Sequence, residues 1–374
     1  MIKKLLTVFV FLVVVIALQQ CKPDSPYNCN GCNEPDSLYV GVPVTLQKPF
    51  KFPSITIPPD NPLTEEGILL GRMLFYDSIL SVSNSLACAS CHKQEFAFSD
   101  AGNALSQNVF GPTKRNTPPL MNLVWMKDFF WDGRSSTLPN QADDALLHEL
   151  GFDAAVVIPR LEAKPEYVRL FKKAFGRPGT ITQEKIEKAI AQFEMTLISA
   201  NSKFDKVMRG EATFTPEESR GFYNLFMKDT IDKGADCFHC HASSSSSSLT
   251  MIDDNFHNNG LVFANSFNDF ADKGRGAITN NMLDNGKFRT PHLRNIEVTG
   301  PYMHAGQFTT LEQVVDFYND SLKMSPTVDP QIKAAHRGGL KYLTAQDKAD
   351  LIAFLKTLTD TAFLHNPAFS NPFK

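Results

Sequence analysis

Two Cys-x-x-Cys-His units stand in the chain, Cys88-Ala89-Ser90-Cys91-His92 and Cys237-Phe238-His239-Cys240-His241. This spacing lets two thiols add across the vinyl groups of one haem while the adjacent imidazole reaches its iron. A single unit in a cytoplasmic protein reads equally as a zinc or redox pair. Two units in an exported chain read as two covalently bound haem c groups, with His92 and His241 as proximal iron ligands. Zinc is the alternative, but it needs further ligands at suitable spacing, and none is found.

Each unit must be held by helices, and the pattern supplies them twice. Thr64-Glu65-Glu66 opens a helical run that ends near Asp77, ahead of Cys88; Thr215-Pro216-Glu217-Glu218 opens another ahead of Cys237. A helix from Gln183 to Ser199 closes the first half with Ile186, Ile190, Phe193 and Leu197 on one face. Another from Asp347 to Leu358 closes the second. Helix, haem unit, irregular loops and closing helix follow in the order of a class I cytochrome c. The fold class is therefore mainly α, two tandem cytochrome c-like domains over 61–205 and 206–374, with little β structure because alternating apolar runs are lacking. The serines from Ser243 to Ser248 read as a solvated loop.

The chain has 374 residues, which suits two domains, and 43% hydrophobic residues exclude a disordered chain. A net charge of -3 excludes a nucleic-acid partner. Only Leu5 to Leu18 is continuously apolar, which excludes a multi-span membrane protein; with Lys3 and Lys4 before it, residues 1–20 read as a secretory signal. Leu18-Gln19-Gln20-Cys21 looks like a lipoprotein box with an unusual Gln before the Cys. Cys21 then carries a lipid anchor to the membrane, or the segment is an ordinary signal or an uncleaved anchor. In each case the body lies in the periplasm or cell envelope. Residues 21–60, rich in Pro, Asn, Asp and Ser, form a tether and extended lead-in, in which Cys29 and Cys32 are a local disulfide or free thiols.

Further segments recur in a recognisable order: Arg115-Asn116-Thr117-Pro118-Pro119-Leu120, Phe130-Trp131-Asp132-Gly133-Arg134, Gln141, His148-Glu149-Leu150-Gly151, Phe288-Arg289-Thr290-Pro291-His292-Leu293-Arg294-Asn295, and Thr299-Gly300-Pro301-Tyr302-Met303-His304-Ala305-Gly306. From about Pro59 to Thr359 they resemble the bacterial di-haem cytochrome c peroxidase family, which includes the MauG-type enzymes that oxidise a protein substrate. The resemblance implies that the first haem reduces peroxide and the second passes electrons to it. Glu149 matches the distal acid, able to take a proton from bound peroxide and return it to the leaving oxygen, and Gln141 matches a distal amide. The two stand two residues closer than the family pattern, and the usual Pro in this stretch is missing, with Ala145 nearby. His148 is the fallback. Trp131 matches the inter-haem tryptophan, although a packed core aromatic accounts for it equally. Arg115, Arg289 and Arg294 suit haem propionates. By the same resemblance Asn116 and the backbone carbonyls of Thr299 and Pro301 match a calcium site.

The sixth ligands set the mechanism. Many family members plug the first iron with a loop histidine, but no histidine occurs here between His92 and His148, so that iron is expected to be open when oxidised. In the second half the family's ligand position holds Tyr318, as in MauG-type enzymes, where ordinary peroxidases have Met; Met303 is the rival. His257, His292, His304 and His336 read as neighbours of the site or surface residues. The resemblance therefore implies reduction of hydrogen peroxide to water. Electrons come from a small donor such as a cytochrome c or cupredoxin, entering at the second haem and crossing by Trp131. One alternative is a MauG-like oxidation of a partner protein by a high-valent di-haem state. Another is an electron carrier without turnover, with both irons six-coordinate; a peroxide sensor is weaker, as no signalling domain is attached. Family analogy also suggests a homodimer.

Overall fold

The computed structural model describes residues 41–176, 178–229, 232–241, 249–333 and 342–374. The expected signal, Cys21, Cys29, Cys32, the serine run and His336 lie outside the described residues, and no helix among those described is long and apolar enough to cross a membrane.

The first half is organised by one helix crossing. The opening helix, Glu65–Tyr76, starts where the Thr64 hydroxyl accepts the Gly67 N–H at 3.0 Å, with Glu65 and Glu66 in its first turn. The closing helix, Gln183–Met195, starts at Thr182 in the same way. They cross with their backbones in contact, because a methyl group at Gly71 would collide with the Ala189 carbonyl. Around the crossing pack Leu70, Leu74, Val157, Phe171 and Ile186, while Phe75, Phe98 and Phe193 fill a second cluster beside it.

The second half repeats this crossing with one change. Thr215 and Glu218 form a reciprocal cap before a short helix, Pro216–Ser219, which runs directly into a π-helical stretch, Arg220–Phe226. Gly221 meets the Asp350 carbonyl of the closing helix, Ala345–Lys356, as Gly71 meets Ala189. Phe75 packs on Phe193 with ring centroids 5.3 Å apart, and Phe226 on Phe354 at 5.0 Å. Phe75 lies four residues after its crossing glycine and Phe226 five, so the π turn takes up one extra residue and returns the ring to the same place.

The architecture is mainly helical, as expected, and the described strands form only two short antiparallel ribbons. These pair Gln107–Asn108 with Gly111–Pro112, and Phe256–His257 with Phe288–Arg289. A buried polar knot joins the halves. The Asp360 carboxylate accepts from the Ser199 hydroxyl and from the N–H groups of Ala200 and Asn201, while Asn295 accepts the Asp360 N–H and donates to Ser199.

One feature departs from the tandem division. Residues 361–374, expected with the second half, pack on the first. Phe363 and Phe369 enter the Phe75–Phe98 cluster. Arg72 donates to the Ser370 carbonyl (2.6 Å) and the Pro367 carbonyl (2.8 Å), Tyr76 to the Phe369 carbonyl (2.8 Å), and Gln94 to the Asn366 carbonyl (2.8 Å). The first core has an apolar face that its own residues leave uncovered, and this tail covers it.

Candidate functional site

Cys88–Cys91 is a single helical turn, and His92 follows as its cap. A tight turn with Ala97 and Phe98 at positive φ (53° and 59°) presents the Phe98 carbonyl to the His92 Nδ1 at 2.6 Å. A carbonyl only accepts, so Nδ1 carries the proton and Nε2 keeps its lone pair. Burial pushes the ring down to about 4, hence neutral at physiological pH. A buried neutral imidazole with Nδ1 so anchored is what an iron requires of a proximal ligand.

His92 opens onto two adjoining hollows that share it with Asn108, Gln141, Ala145 and Glu149. The smaller also meets Cys88, Cys91 and Glu194; the larger, about 1110 Å³, meets Trp131, Arg115, Arg134 and Arg289. Gln141, Glu149, Trp131, Arg115 and Arg289 therefore line the larger hollow together with His92. Gln141 and Glu149 reach it from the helix Leu138–His148, which starts at a Thr137 cap with Pro139 in its first turn and ends at Glu149. Gln141 Oε1 is buried without a partner. Burial raises Glu149 above the usual carboxylate range against the opposing charge of Arg134, whereas His148 is exposed. Arg134 is fixed by two bonds to Asp144 (2.9 and 2.8 Å) and stacks 3.4 Å from the Phe130 ring. Glu194, also buried, has an unpartnered Oε2 and is pushed up to about 8 by desolvation alone.

Trp131 is both packed and placed at this space. Its indole N–H donates to the Asn116 carbonyl (2.8 Å), its own carbonyl accepts the Arg289 N–H (2.8 Å), and its ring meets His304 edge-on at 6.5 Å. The Asn116 amide nitrogen faces the Asn103 and Ala104 carbonyls (3.3 and 3.2 Å), and the Asn116 N–H donates to the His304 carbonyl (2.8 Å). Asn116, Thr299 and Pro301 bring no carboxylate, so a cation held by them would rest on neutral oxygens. Among the described residues the one cluster with metal-ligand spacing is elsewhere: Cys240, Asp253 and His257. There His257 lies between Asp253 and Asp329 (2.7 Å each), and these pairs raise it to about 9 against the opposing effect of burial.

The three arginines separate. Arg289 is buried, donates to the Phe130 and Thr290 carbonyls, and makes no ion pair among the described residues; burial pushes it down to about 10. It is the guanidinium that still lacks an anion. Arg115 holds Asp272 through two bonds of 2.8 Å and Asp132 at 2.6 Å. Arg294, also expected at a propionate, already has a carboxylate partner. Its buried guanidinium is taken bidentately by Asp205 (2.9 and 2.8 Å), whose carboxylate this pairing keeps below its usual range against the cost of burial.

In the second unit burial pushes His241 down to about 4 against the opposing effect of a hydrogen bond with the Pro291 backbone, so it too is neutral. Tyr318 lies on the helix Leu311–Asp320, near the Cys240 and Cys237 thiols, and burial raises its phenol. Tyr318 and Met303 meet at one side chain that sequence reasoning missed: Asn259 Nδ2 donates to the Tyr318 oxygen (3.1 Å) and the Met303 sulfur (3.4 Å). Nothing in the spacing around Asn259 signals this role. Arg134 was visible only as part of a motif, without its tie to Glu149.

The chain is 35% identical over 321 residues to the methylamine utilization protein MauG of Methylorubrum extorquens, covering 84% of each chain. It is 32% identical over 295 residues to the cytochrome c551 peroxidase of Nitrosomonas europaea, covering 78% of this chain and 79% of that one. The profile described as di-haem cytochrome c peroxidase matches residues 65–213. A crystal structure of a MauG-like protein associated with microbial copper homeostasis superposes with a TM-score of 0.78 at 34% identity, covering 88% of this chain and all of that one. The chain belongs to the di-haem cytochrome c peroxidase and MauG family. Haem is the cofactor of that family, and the two neutral histidines beside paired cysteines fit it.

Proposed function

We propose that this protein is an exported di-haem peroxidase that reduces hydrogen peroxide to water with electrons from a small redox protein. The observation that carries the reading is the shared space in which Glu149 and Gln141 face His92, with Trp131 and Arg289 on its wall. A haem bound through Cys88, Cys91 and His92 would supply the iron that binds peroxide and exchanges electrons with it. Glu149 takes the proton of the inner peroxide oxygen and returns it to the outer one as the O–O bond breaks. Burial raises its carboxyl above the usual range, which favours its holding the proton between the two transfers. Gln141 Oε1 accepts a hydrogen bond from the peroxide and orients it. Arg289 offers its guanidinium to a haem carboxylate, and Trp131 lies on the path by which electrons arrive from the second centre. Two electrons and two protons are consumed per peroxide.

Peroxide added to the fully oxidised holoprotein tests this. Rapid loss of the high-spin haem signal without prior reduction is expected, and a protein that does not respond until an electron is supplied would overturn the open first centre. Silence in both states would leave an electron carrier. A second reading, oxidation of residues on a partner protein, is favoured by Tyr318: a phenolate donor supports higher iron oxidation states than a thioether does. Long-lived spectral change at both haems after one equivalent of peroxide would select it.

A further inference from the structure

Two side chains of the second half with atoms able to bind iron, Tyr318 and Met303, are addressed by one amide. Asn259 cannot be turned over freely, because its Oδ1 accepts the Leu261 N–H at 3.3 Å, which leaves Nδ2 facing Tyr318 and Met303. The turn carrying it is also fixed. The Asn258 amide donates to Ser325 (3.1 Å) and Thr327 (2.9 Å), and the Lys323 N–H donates to the Gly260 carbonyl at 2.7 Å. All three partners follow the helix that bears Tyr318, so Asn259 and Tyr318 are tied to the same segment. Met303 comes from the other side with its backbone in the left-handed region at φ 72°, uncommon for a residue with a Cβ and found where the surroundings enforce it. The oxygen and the sulfur can be no further apart than their two hydrogen bonds to one nitrogen.

We propose that Tyr318 and Met303 exchange at the second iron with its oxidation state, and that Asn259 is the positioning residue that holds whichever donor is off the metal. This rests on reading His241 as the proximal ligand of a second haem. Ferric iron prefers the hard, anionic phenolate oxygen and ferrous iron the soft thioether. The step takes one electron from the donor protein and one proton from solvent. The Fe(III)–O bond to Tyr318 breaks, the Fe(II)–S bond to Met303 forms, and the phenolate oxygen takes the proton. The released phenol still accepts from Asn259, as the released thioether does in the oxidised state. The second centre therefore takes up an electron at the potential of an oxygen-ligated haem and gives it up at that of a sulfur-ligated one.

The test uses the holoprotein and three variants, Met303→Leu, Tyr318→Phe and Asn259→Leu. A haem count comes first: one haem per chain would sink the second-haem reading, and only two per chain bring the exchange to trial. In reduced wild-type protein, proton NMR is expected to show the strongly upfield methyl of an iron-bound methionine, while the oxidised protein shows the magnetic circular dichroism of a phenolate-bound haem. Tyr318→Phe is expected to alter only the oxidised second haem, and Met303→Leu only the reduced one, leaving it five-coordinate and high-spin. In fast-scan voltammetry the wild type should give cathodic and anodic peaks whose separation grows with scan rate. Either ligand variant should lose that growth, and Asn259→Leu should change the exchange rate several-fold. With two haems present, a reduced wild type lacking the upfield methyl, or a Met303→Leu reduced spectrum identical to wild type, would overturn the proposal. These wild-type readings stand even where a variant fails to fold.

Discussion

The two halves share a crossing and differ at the iron. In each, a glycine lets the opening segment touch the closing helix, and a phenylalanine locks the contact. Around the first iron position, His92 is tied to the Phe98 carbonyl, and the facing space is lined by Glu149 and an unsatisfied Gln141. In the second half His241 is matched with the Pro291 backbone in the same way, but Tyr318 and Met303 share the Asn259 amide. On the proposed reading, one scaffold is kept while its two haem surroundings divide into one with room for a small molecule and one that supplies its own donors. The helical frame carries stability, and the loops between unit and closing helix carry the chemistry.

Glu149→Gln should separate the halves most sharply. The peroxide reaction of the oxidised protein is expected to fall by about 10²–10⁴, while the second haem's spectrum and potential stay as they were; stopped-flow absorbance reads both. If the rate falls less than tenfold, the first half has another acid. Next in size, Arg294→Met leaves the Asp205 carboxylate buried without its partner and should destabilise the holoprotein by about 3–5 kcal/mol, measured by denaturant unfolding. The peroxide rate at the first centre should be unchanged.

The crossings themselves can be compared. Gly71→Ala and Gly221→Ala each force a methyl against a carbonyl, at a cost of about 1–3 kcal/mol for overpacking. Gly71 sits in a regular helix and Gly221 in a π turn already carrying one residue too many, which has more ways to shift. Gly71→Ala should cost more in thermal unfolding, and equal losses would mean the π turn is as rigid as the helix.

Much of this frame was legible in the sequence, because caps, apolar periodicity and the haem units are local signals. Thr64 and Thr215 announce helix starts, and both glycines stand in the opening segments. The π turn was not legible: Gly221 and Phe226 become comparable with Gly71 and Phe75 only once Asp350 and Phe354 are opposite them. The fate of Arg294 was hidden for the same reason, since Asp205, which claims it, lies 89 positions earlier. Glu149 could be named from its motif, but its raised proton affinity comes from burial, and the opposing charge of Arg134 acts only once the fold brings that residue near; a motif contains neither fact.

Two smaller effects follow from charge. Burial raises Glu149 and Arg134 opposes it. The peroxide rate, which needs the carboxylate, should therefore fall on acidification at a pH above the usual carboxylate range. Arg134→Gln should move that limb further up, and a limb that moves down or stays would remove Arg134 from the account; the pH profile of the oxidised protein decides. Glu194 is smaller still. Its folded value of about 8 lies above its unfolded one, so the fold is favoured while the group is protonated. That advantage is whole below the unfolded value and fades as pH climbs to about 8. Glu194→Gln should flatten the decline in melting temperature over that window, and an unaltered slope would show that another group controls it.

The segment that returns to the first core ties the two halves into one cooperative body. Phe363 and Phe369 follow the closing helix of the second half, yet they complete the cluster that contains Phe75 and Phe98, beside His92. A loosening of the second half that carried this segment away would uncover the packing behind His92, so the two halves are expected to melt together.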